Sequence, residues 1–265
     1  MPIDSDRLIY LYCVASEAPL KGASGDHDGI IIMEHNGLFV CLRHVLEDEF
    51  SESNLKKNIS SEPWLDLHVR EHLSVIGNLM ERNTVIPFNF GTIYRTRERL
   101  QSFLDQHAAG LKSALDYLAD KEEWSVKIFC NRAKIVQNIS SLSRNIADID
   151  LQISKSSPGK AYILGKKKNE ILEKEISQIY NACSKELFSS LNLMAREYRL
   201  NQVLSGDLTG RGEDMIVNAA FLIQKDNVPG FIAKTDGLVT EHENMGLLLE
   251  VAGPWPPYTF VNLSD

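Results

Sequence analysis

The chain has 265 residues, and its hydrophobic share of 43% and charged share of 24% exclude a disordered or fibrous protein. A formal charge of −8 opposes the basic footprint of a nucleic-acid-binding protein. No stretch approaches the ~20 apolar residues that a membrane-spanning helix requires, so we expect neither nucleic acid nor a membrane as a partner.

The first elements are a strand and a hairpin. Residues 7–15 are apolar on both alternating faces, with Tyr10, Tyr12 and Val14 on one of them, which predicts a central strand. Two further strands, over 30–34 and 38–45, flank an Asn-Gly pair, which is the strongest short-range signal for a hairpin.

A helix and a short strand complete the first domain. Pro63 suits the first turn of a helix, and 85–90 predicts an edge strand because it contains a proline. With the loop 16–29 in place of a first helix, this order resembles a modified ferredoxin-like domain. Thr96 then caps a helix that ends near residue 120, so we place the first domain at 1–120.

The second half alternates strands with helices. We expect strands over 124–130, 215–223 and 246–251, and helices over 131–146, 158–198 and 228–240. A polar linker over 150–157 and a glycine-rich connector over 206–212 separate them. The second domain covers 121–252, and the chain is predicted to be α+β, with two open-faced α/β sandwich domains.

The cysteines indicate a reduced protein. The chain has four cysteines, which lie far apart and include no C-x-x-C pair: Cys13, Cys41, Cys130 and Cys183. Free cysteines inside apolar runs behave as small buried hydrophobes. Because acidic residues precede the short apolar run at the N-terminus, we also expect no signal peptide or lipid anchor, and we predict a cytoplasmic protein.

One motif suggests catalysis. His68, Glu71 and His72 match the H-x-x-E-H pattern of a family of zinc proteases. Histidines four residues apart share a helix face, and the glutamate would activate a water. A third ligand such as Glu241 or Glu243 is required, and nothing in the sequence places one nearby. A zinc-dependent hydrolase is therefore an alternative function, while the simpler interpretation is that His72 packs under the sheet.

The tail, residues 253–265, differs from the rest of the chain. Prolines 254, 256 and 257 remove three backbone donors, so the segment from Gly253 should stop the last strand and continue as a stiff extended rod. Trp255, Tyr258 and Phe260 on that rod are large anchors. Two interpretations stay open: the rod packs back onto its own domain, or it docks to a partner.

Short segments along the chain together resemble one family. The C-terminal Gly-Pro-Trp-Pro-Pro-Tyr with Phe260 resembles the signature of the gas vesicle protein F/L family. Other segments agree in order and spacing: Tyr10-Leu11-Tyr12, Trp64 with His72, Ile86-Pro87, Phe90-Gly91-Thr92, Glu123-Trp124 with Val126-Lys127, Ser157-Pro158-Gly159 with Ala161-Tyr162, and Asn218-Ala219-Ala220. Asn89 departs from the family pattern, where a basic residue is common, and Thr259 stands where Asn is frequent.

The resemblance implies a cytoplasmic protein that builds gas vesicles. It implies two α/β domains, no cofactor, no metal, no catalysis, and binding of the small hydrophobic shell protein, alone or with other accessory proteins. On this basis we expect Trp255, Tyr258, Phe260 and Phe90 to contact the partner. A small-molecule regulatory module is a third possibility, on fold analogy alone.

Overall fold

A computed structural model describes residues 7–18, 29–242 and 246–261. The chain divides into two compact units. Unit 1 comprises residues 1–123 together with 254–265, and unit 2 comprises 124–253. The tail therefore belongs to the same unit as the N-terminal half of the chain.

Unit 1 contains five strands: β1 (Arg7–Ala15), β2 (Ile30–His35), β3 (Leu38–Leu46), β4 (Val85–Pro87) and β5 (Ile93–Tyr94). They form an antiparallel sheet in the order β2-β3-β1-β4, with β5 also pairing with β1. The predicted hairpin is confirmed: Asn36 and Gly37 have φ angles of 53° and 75° and join β2 to β3. Both residues occupy the left-handed region that this tight turn requires.

A bulge in β1 changes which of its residues share a face. The register with β3 pairs Leu11 with Leu42 and then Cys13 with Cys41, so Tyr12 is the extra residue. The prediction that Val14 shares the tyrosine face is therefore wrong. Cys13 and Ala15 instead join Tyr10 and Tyr12 in one buried cluster.

Helices pack on this sheet. They are α1 (Glu47–Phe50), α2 (Glu52–Asn58), α3 (Glu62–Met80) and α4 (Arg97–Leu118). Pro63 lies in the first turn of α3, and the Thr96 hydroxyl caps α4 by accepting from the backbone N–H of Arg99 at 3.3 Å, as predicted. The acidic residues from 47 to 52 gave no helix prediction, although they begin α1 and α2.

Unit 2 contains a second sheet, with strands β6 (Lys121–Cys130), β7 (Glu197–Leu200), β8 (Asp214–Gln224) and β9 (Leu247–Trp255) in the order β7-β8-β6-β9. Its helices are α5 (Arg132–Leu142), α6 (Arg144–Ser154), α7 (Pro158–Asn192), α8 (Gly206–Thr209) and α9 (Val228–Glu241). The strand β6 begins in the last residues of unit 1. Alternate residues of β6 and β8, including Ile128 and Phe221, form the core with the helices.

Three predicted boundaries in unit 2 are wrong. The single helix over 131–146 breaks at Ser143, whose hydroxyl accepts from the N–H of Ile146 and donates to Glu175, and so begins α6. The predicted polar linker over 150–157 lies largely inside that helix. The long helix ends at Asn192 rather than Tyr198, because the chain turns there into the edge strand β7.

The end of the last strand also differs from expectation. The strand β9 continues to Trp255 instead of stopping at Gly253. A proline lacks a donor, but β9 is an edge strand, where a residue without a donor is tolerated. The α+β class with two sheet-and-helix units is confirmed, while the ferredoxin-like description of unit 1 stays a prediction, because residues 19–28 of the loop lie outside those described.

Candidate functional site

His72 is the centre of a buried hydrogen-bond network in unit 1. It lies on α3 and is 2% exposed. Its Nδ1 is 2.9 Å from the Tyr10 hydroxyl on β1, and its Nε2 is 3.1 Å from the carbonyl oxygen of Phe88 and 2.8 Å from the hydroxyl of Tyr258. The backbone N–H of Gly91 donates to the Tyr10 hydroxyl at 3.1 Å. One imidazole thus joins a strand, the segment after β4 and the tail.

The partners fix the tautomer of this imidazole. A carbonyl oxygen can only accept, so Nε2 carries the proton that faces Phe88 and the Tyr258 hydroxyl. The Nδ1 atom is then the acceptor for the hydroxyl of Tyr10. Burial lowers the pKa of His72 to about 4, and burial raises the pKa values of Tyr10 and Tyr258, so all three groups are neutral at pH 7.

The tail packs onto unit 1 by a second contact as well. Glu123 is 6% exposed and accepts from the backbone N–H of Thr259 at 3.0 Å and from its hydroxyl at 2.5 Å. Burial raises the pKa of Glu123, and the two Thr259 contacts oppose that rise. Pro256, Pro257 and Phe260 are buried. We call residues 256–260 with these contacts the latch.

Aromatic rings surround the network. The Phe90 ring is half-buried and lies 5.8 Å from His72 and 6.2 Å from Trp64, centroid to centroid. Trp64 stacks on His68 at 4.0 Å and donates from Nε1 to Glu49 at 2.8 Å. Phe90 therefore belongs to the aromatic surroundings of His72.

The three residues of the H-x-x-E-H motif each make different contacts within unit 1. Glu71 forms a two-pronged ion pair with Arg43 on β3. His68 uses Nδ1 for the carbonyl of Trp64, whereas both ring nitrogens of His72 face the network. Within the described ranges no group of three His, Cys, Asp or Glu side chains could hold a metal. Glu243 lies outside the described residues. This geometry does not support the hydrolase hypothesis, and it agrees with the simpler interpretation of His72.

A groove of about 660 Å³ opens beside these rings. Gly91, whose N–H bonds to Tyr10, lines it. Its other walls carry aromatic rings and charges of both signs: Phe50, Tyr94, Phe103, Arg95, Arg99, Glu47 and Glu52. We call this the aromatic groove. Its lining combines aromatic and aliphatic side chains with charged and polar ones in about equal number, so it offers both apolar contact and polar groups to a bound molecule.

The four side chains proposed from the sequence to contact a partner have different surroundings. Tyr258 and Phe260 hold the latch, and Phe90 packs among the rings around His72. Trp255 is 42% exposed. The sequence did not indicate Glu123 or the groove, although the tyrosines at positions 10 and 12 were a signal for a shared polar network under α3.

The fold and this site define a two-unit α+β protein whose C-terminal residues pack onto its N-terminal unit. A family model described as "Gas vesicle synthesis protein GvpL/GvpF" matches residues 8–262. The chain therefore belongs to the gas vesicle protein F/L family, and the resemblance noted from the sequence is confirmed.

Named relatives align with this chain over most of their length. The chain is 23% identical to gas vesicle protein L of a Streptomyces species over 99% of this chain and 96% of that protein. It is 22% identical to gas vesicle protein L1 of Halobacterium salinarum, over 95% and 89%. No helix among the described residues has the length and apolar character needed to cross a bilayer.

Solved structures share the fold. The crystal structure of gas vesicle protein GvpF from Anabaena sp. superposes with a TM-score of 0.68 at 19% identity, covering 98% of each chain. That of GvpF from Microcystis aeruginosa gives 0.66 at 20% identity, covering 97% of this chain and 99% of the other.

Proposed function

We propose that this protein is a gas vesicle accessory protein that binds the hydrophobic shell protein and assists its nucleation or assembly. It acts in the cytoplasm as a binding protein without catalysis, cofactor or metal, and it stays with the vesicle as a minor component. Membership of the family supports the gas vesicle role. The observation that carries the binding role is the aromatic groove of unit 1.

Binding of an apolar partner needs rings that the fold already holds in place. Phe50 and Phe103 line the groove, and Gly91 at its edge is connected through Tyr10 to His72. Rigid aromatic side chains bury a large area at a low cost in conformational entropy. The charges of both signs at the rim of the groove orient the partner and add little to the affinity of binding. Other accessory proteins of the vesicle are further partners in this proposal.

The test is co-expression of the tagged chain with the gas vesicle shell protein, followed by affinity capture. Ser102 is exposed on α4 and lines the groove, so Ser102→Trp fills the groove from its wall. We expect this variant to retain at least about tenfold less shell protein. Ser189 is an exposed serine on α7, and Ser189→Trp is the matched control. Normal vesicle formation without the chain, with no shell protein captured by it, would overturn the proposal.

A second pair of variants tests whether residues of the tail pack onto unit 1 or dock to the partner. Tyr258→Phe removes only the hydroxyl that meets His72, so a loss of thermal stability with unchanged capture is expected. Trp255→Ala truncates a ring that is 42% exposed, and here we expect weaker capture of the shell protein. Equal capture by both variants would remove Trp255 from the proposed partner-binding residues.

A further inference from the structure

Two helices of unit 2 concentrate positive charge in an acidic protein. Residues 132–142 of α5 and 158–169 of α7 contain no acidic residue, although the whole chain has a formal charge of −8. Their basic residues are Arg132, Lys134, Lys160, Lys166, Lys167 and Lys168. Lys160 lies in the first turn of α7, which contains no acidic residue, although a negative charge is the favourable one at a helix N-terminus.

A groove of about 510 Å³ lies between these helices. Val136 and Ile139 of α5 and Leu172 of α7 supply apolar surface, and Tyr162, Lys166 and Lys168 also line it. We call it the lysine groove. Tyr162 and its neighbour Ile163 are 65% and 68% exposed. The Tyr162 ring therefore adds exposed aromatic surface to the apolar lining of the groove.

Contacts within the chain fix part of this rim. Lys168 pairs with Asp150 of α6 at 2.6 Å, and the Lys166 ammonium lies 4.9 Å from the centre of the Tyr162 ring, one turn away. Because Lys168 is already neutralised, Lys166 is the groove-lining cation that presents its charge to a partner. The aromatic ring holds that charge at the edge of the apolar surface.

A glycine gives the groove an open wall. Gly165 lines the groove from the interior of α7, where glycine is about 1 kcal/mol less favourable than alanine. A Cβ atom built at this position would meet no atom within 4 Å, so packing inside the chain does not require glycine. The missing side chain allows another backbone to approach α7 closely.

We propose that the lysine groove binds an amphipathic helix of a protein partner, with acidic residues flanking its apolar face. The groove runs between two helices and provides apolar surface, which is how a helix docks in a groove. The stretches 132–142 and 158–169 contain no acidic residue, and Lys166 lies beside the apolar lining, so acidic flanks are favoured by charge complementarity. This is a second binding surface, on unit 2, in addition to the one proposed for the shell protein.

The test uses the full-length protein and two synthetic peptides of about 18 residues, long enough to form a helix. Both carry the same leucine stripe, one with glutamate flanks and one with lysine flanks. We expect fluorescence anisotropy to show binding of the acidic peptide alone, weakening as salt is added. Lys166→Glu and Gly165→Leu should each raise the dissociation constant at least about tenfold.

A matched variant controls for the new leucine. Gly110 is an exposed glycine inside α4, and a Cβ there also meets nothing within 4 Å, so Gly110→Leu should bind the acidic peptide normally. Both leucine variants should keep or raise the melting temperature, because leucine is the better helix former. Three results would overturn the proposal: no acidic-peptide binding, binding that survives Gly165→Leu, or a wild-type dimer that this substitution dissociates, since a second copy would then occupy the groove.

Discussion

At the scale of single residues, His72 couples the tail to the centre of unit 1. Its imidazole has three protein contacts and is nearly inaccessible to water. A neutral ring satisfies all of them, whereas a protonated ring would turn an N–H donor toward the Tyr10 hydroxyl, which currently donates to it. The fold therefore favours neutral His72.

This preference predicts a pH dependence of stability. Burial lowers the pKa of His72 from 6.5 to about 4, so between these pH values the unfolded chain binds a proton that the folded chain does not. Stability is complete above pH 6.5 and falls as the pH falls toward 4. The full effect is roughly 3 kcal/mol at about 1.4 kcal/mol per pKa unit.

Urea unfolding of the protein and of His72→Gln at about pH 7 and pH 4.5 measures this effect. The variant should be less stable at pH 7 but should lose less stability on acidification. Subtracting the change in stability of the variant from that of the wild type removes the opposite contribution of Glu123, whose pKa is raised by burial. An equal loss of stability in both proteins would show that His72 does not carry the pH dependence.

The candidate site was only partly predictable at this scale. The shared face of Tyr10 and Tyr12 follows from their spacing, and the burial of His72 follows from its place on an apolar helix face. The contact between His72 and Tyr258 spans 186 positions in the sequence. Local spacing carries no information about such a contact. The sequence alone therefore could not decide whether the tail packs onto its own domain or docks to a partner.

At the scale of elements, the start of α4 positions one wall of the aromatic groove. Thr96 caps the helix, and Arg99 and Ser102 follow in its first turns and line the groove. Loss of a capping hydroxyl leaves a backbone N–H without its acceptor. The geometry of this wall therefore depends on one side chain outside the groove.

We expect Thr96→Ala to lower the free energy of unfolding by about 1 kcal/mol, the usual value for an N-cap. Thr96→Ser retains the hydroxyl and should stay within a few tenths of a kcal/mol of the wild type. Urea titration of both variants is sufficient. A serine variant as unstable as the alanine variant would show that the methyl group, rather than the cap, supplies the stability.

Elements governed by local chemistry were predicted well. The Asn36-Gly37 turn and the Thr96 cap depend on neighbouring residues only, and both are confirmed. The break at Ser143 depends on Glu175, a residue 32 positions away. The bulge at Tyr12 depends on pairing with β3. A one-dimensional pattern contains neither interaction, so these features required the structure.

At the scale of the whole molecule, the latch is expected to stabilise unit 1 selectively. A chain ending at Trp255 loses the buried side chains of the latch and leaves Glu123 without the two donors of Thr259. We expect unit 1 to lose roughly 3 kcal/mol or more, because the truncation removes the apolar burial of the latch together with its hydrogen bonds to Glu123 and His72.

Hydrogen exchange locates this loss. Amides of β1 and α3 should exchange faster in the truncated chain, while those of β8 in unit 2 should keep their protection. A chain ending at Val261 retains the latch and is the control. Uniform acceleration in both units would contradict a local role for the latch.

The division of unit 1 in the sequence also sets an order of events during synthesis. The ribosome makes residues 1–123 first and residues 254–265 only after all of unit 2. At about 5–20 residues per second, His72 waits on the order of ten seconds for Tyr258. Nascent unit 1 therefore has an incomplete network until the latch has been made, and until then His72 lacks one of its three hydrogen-bond partners.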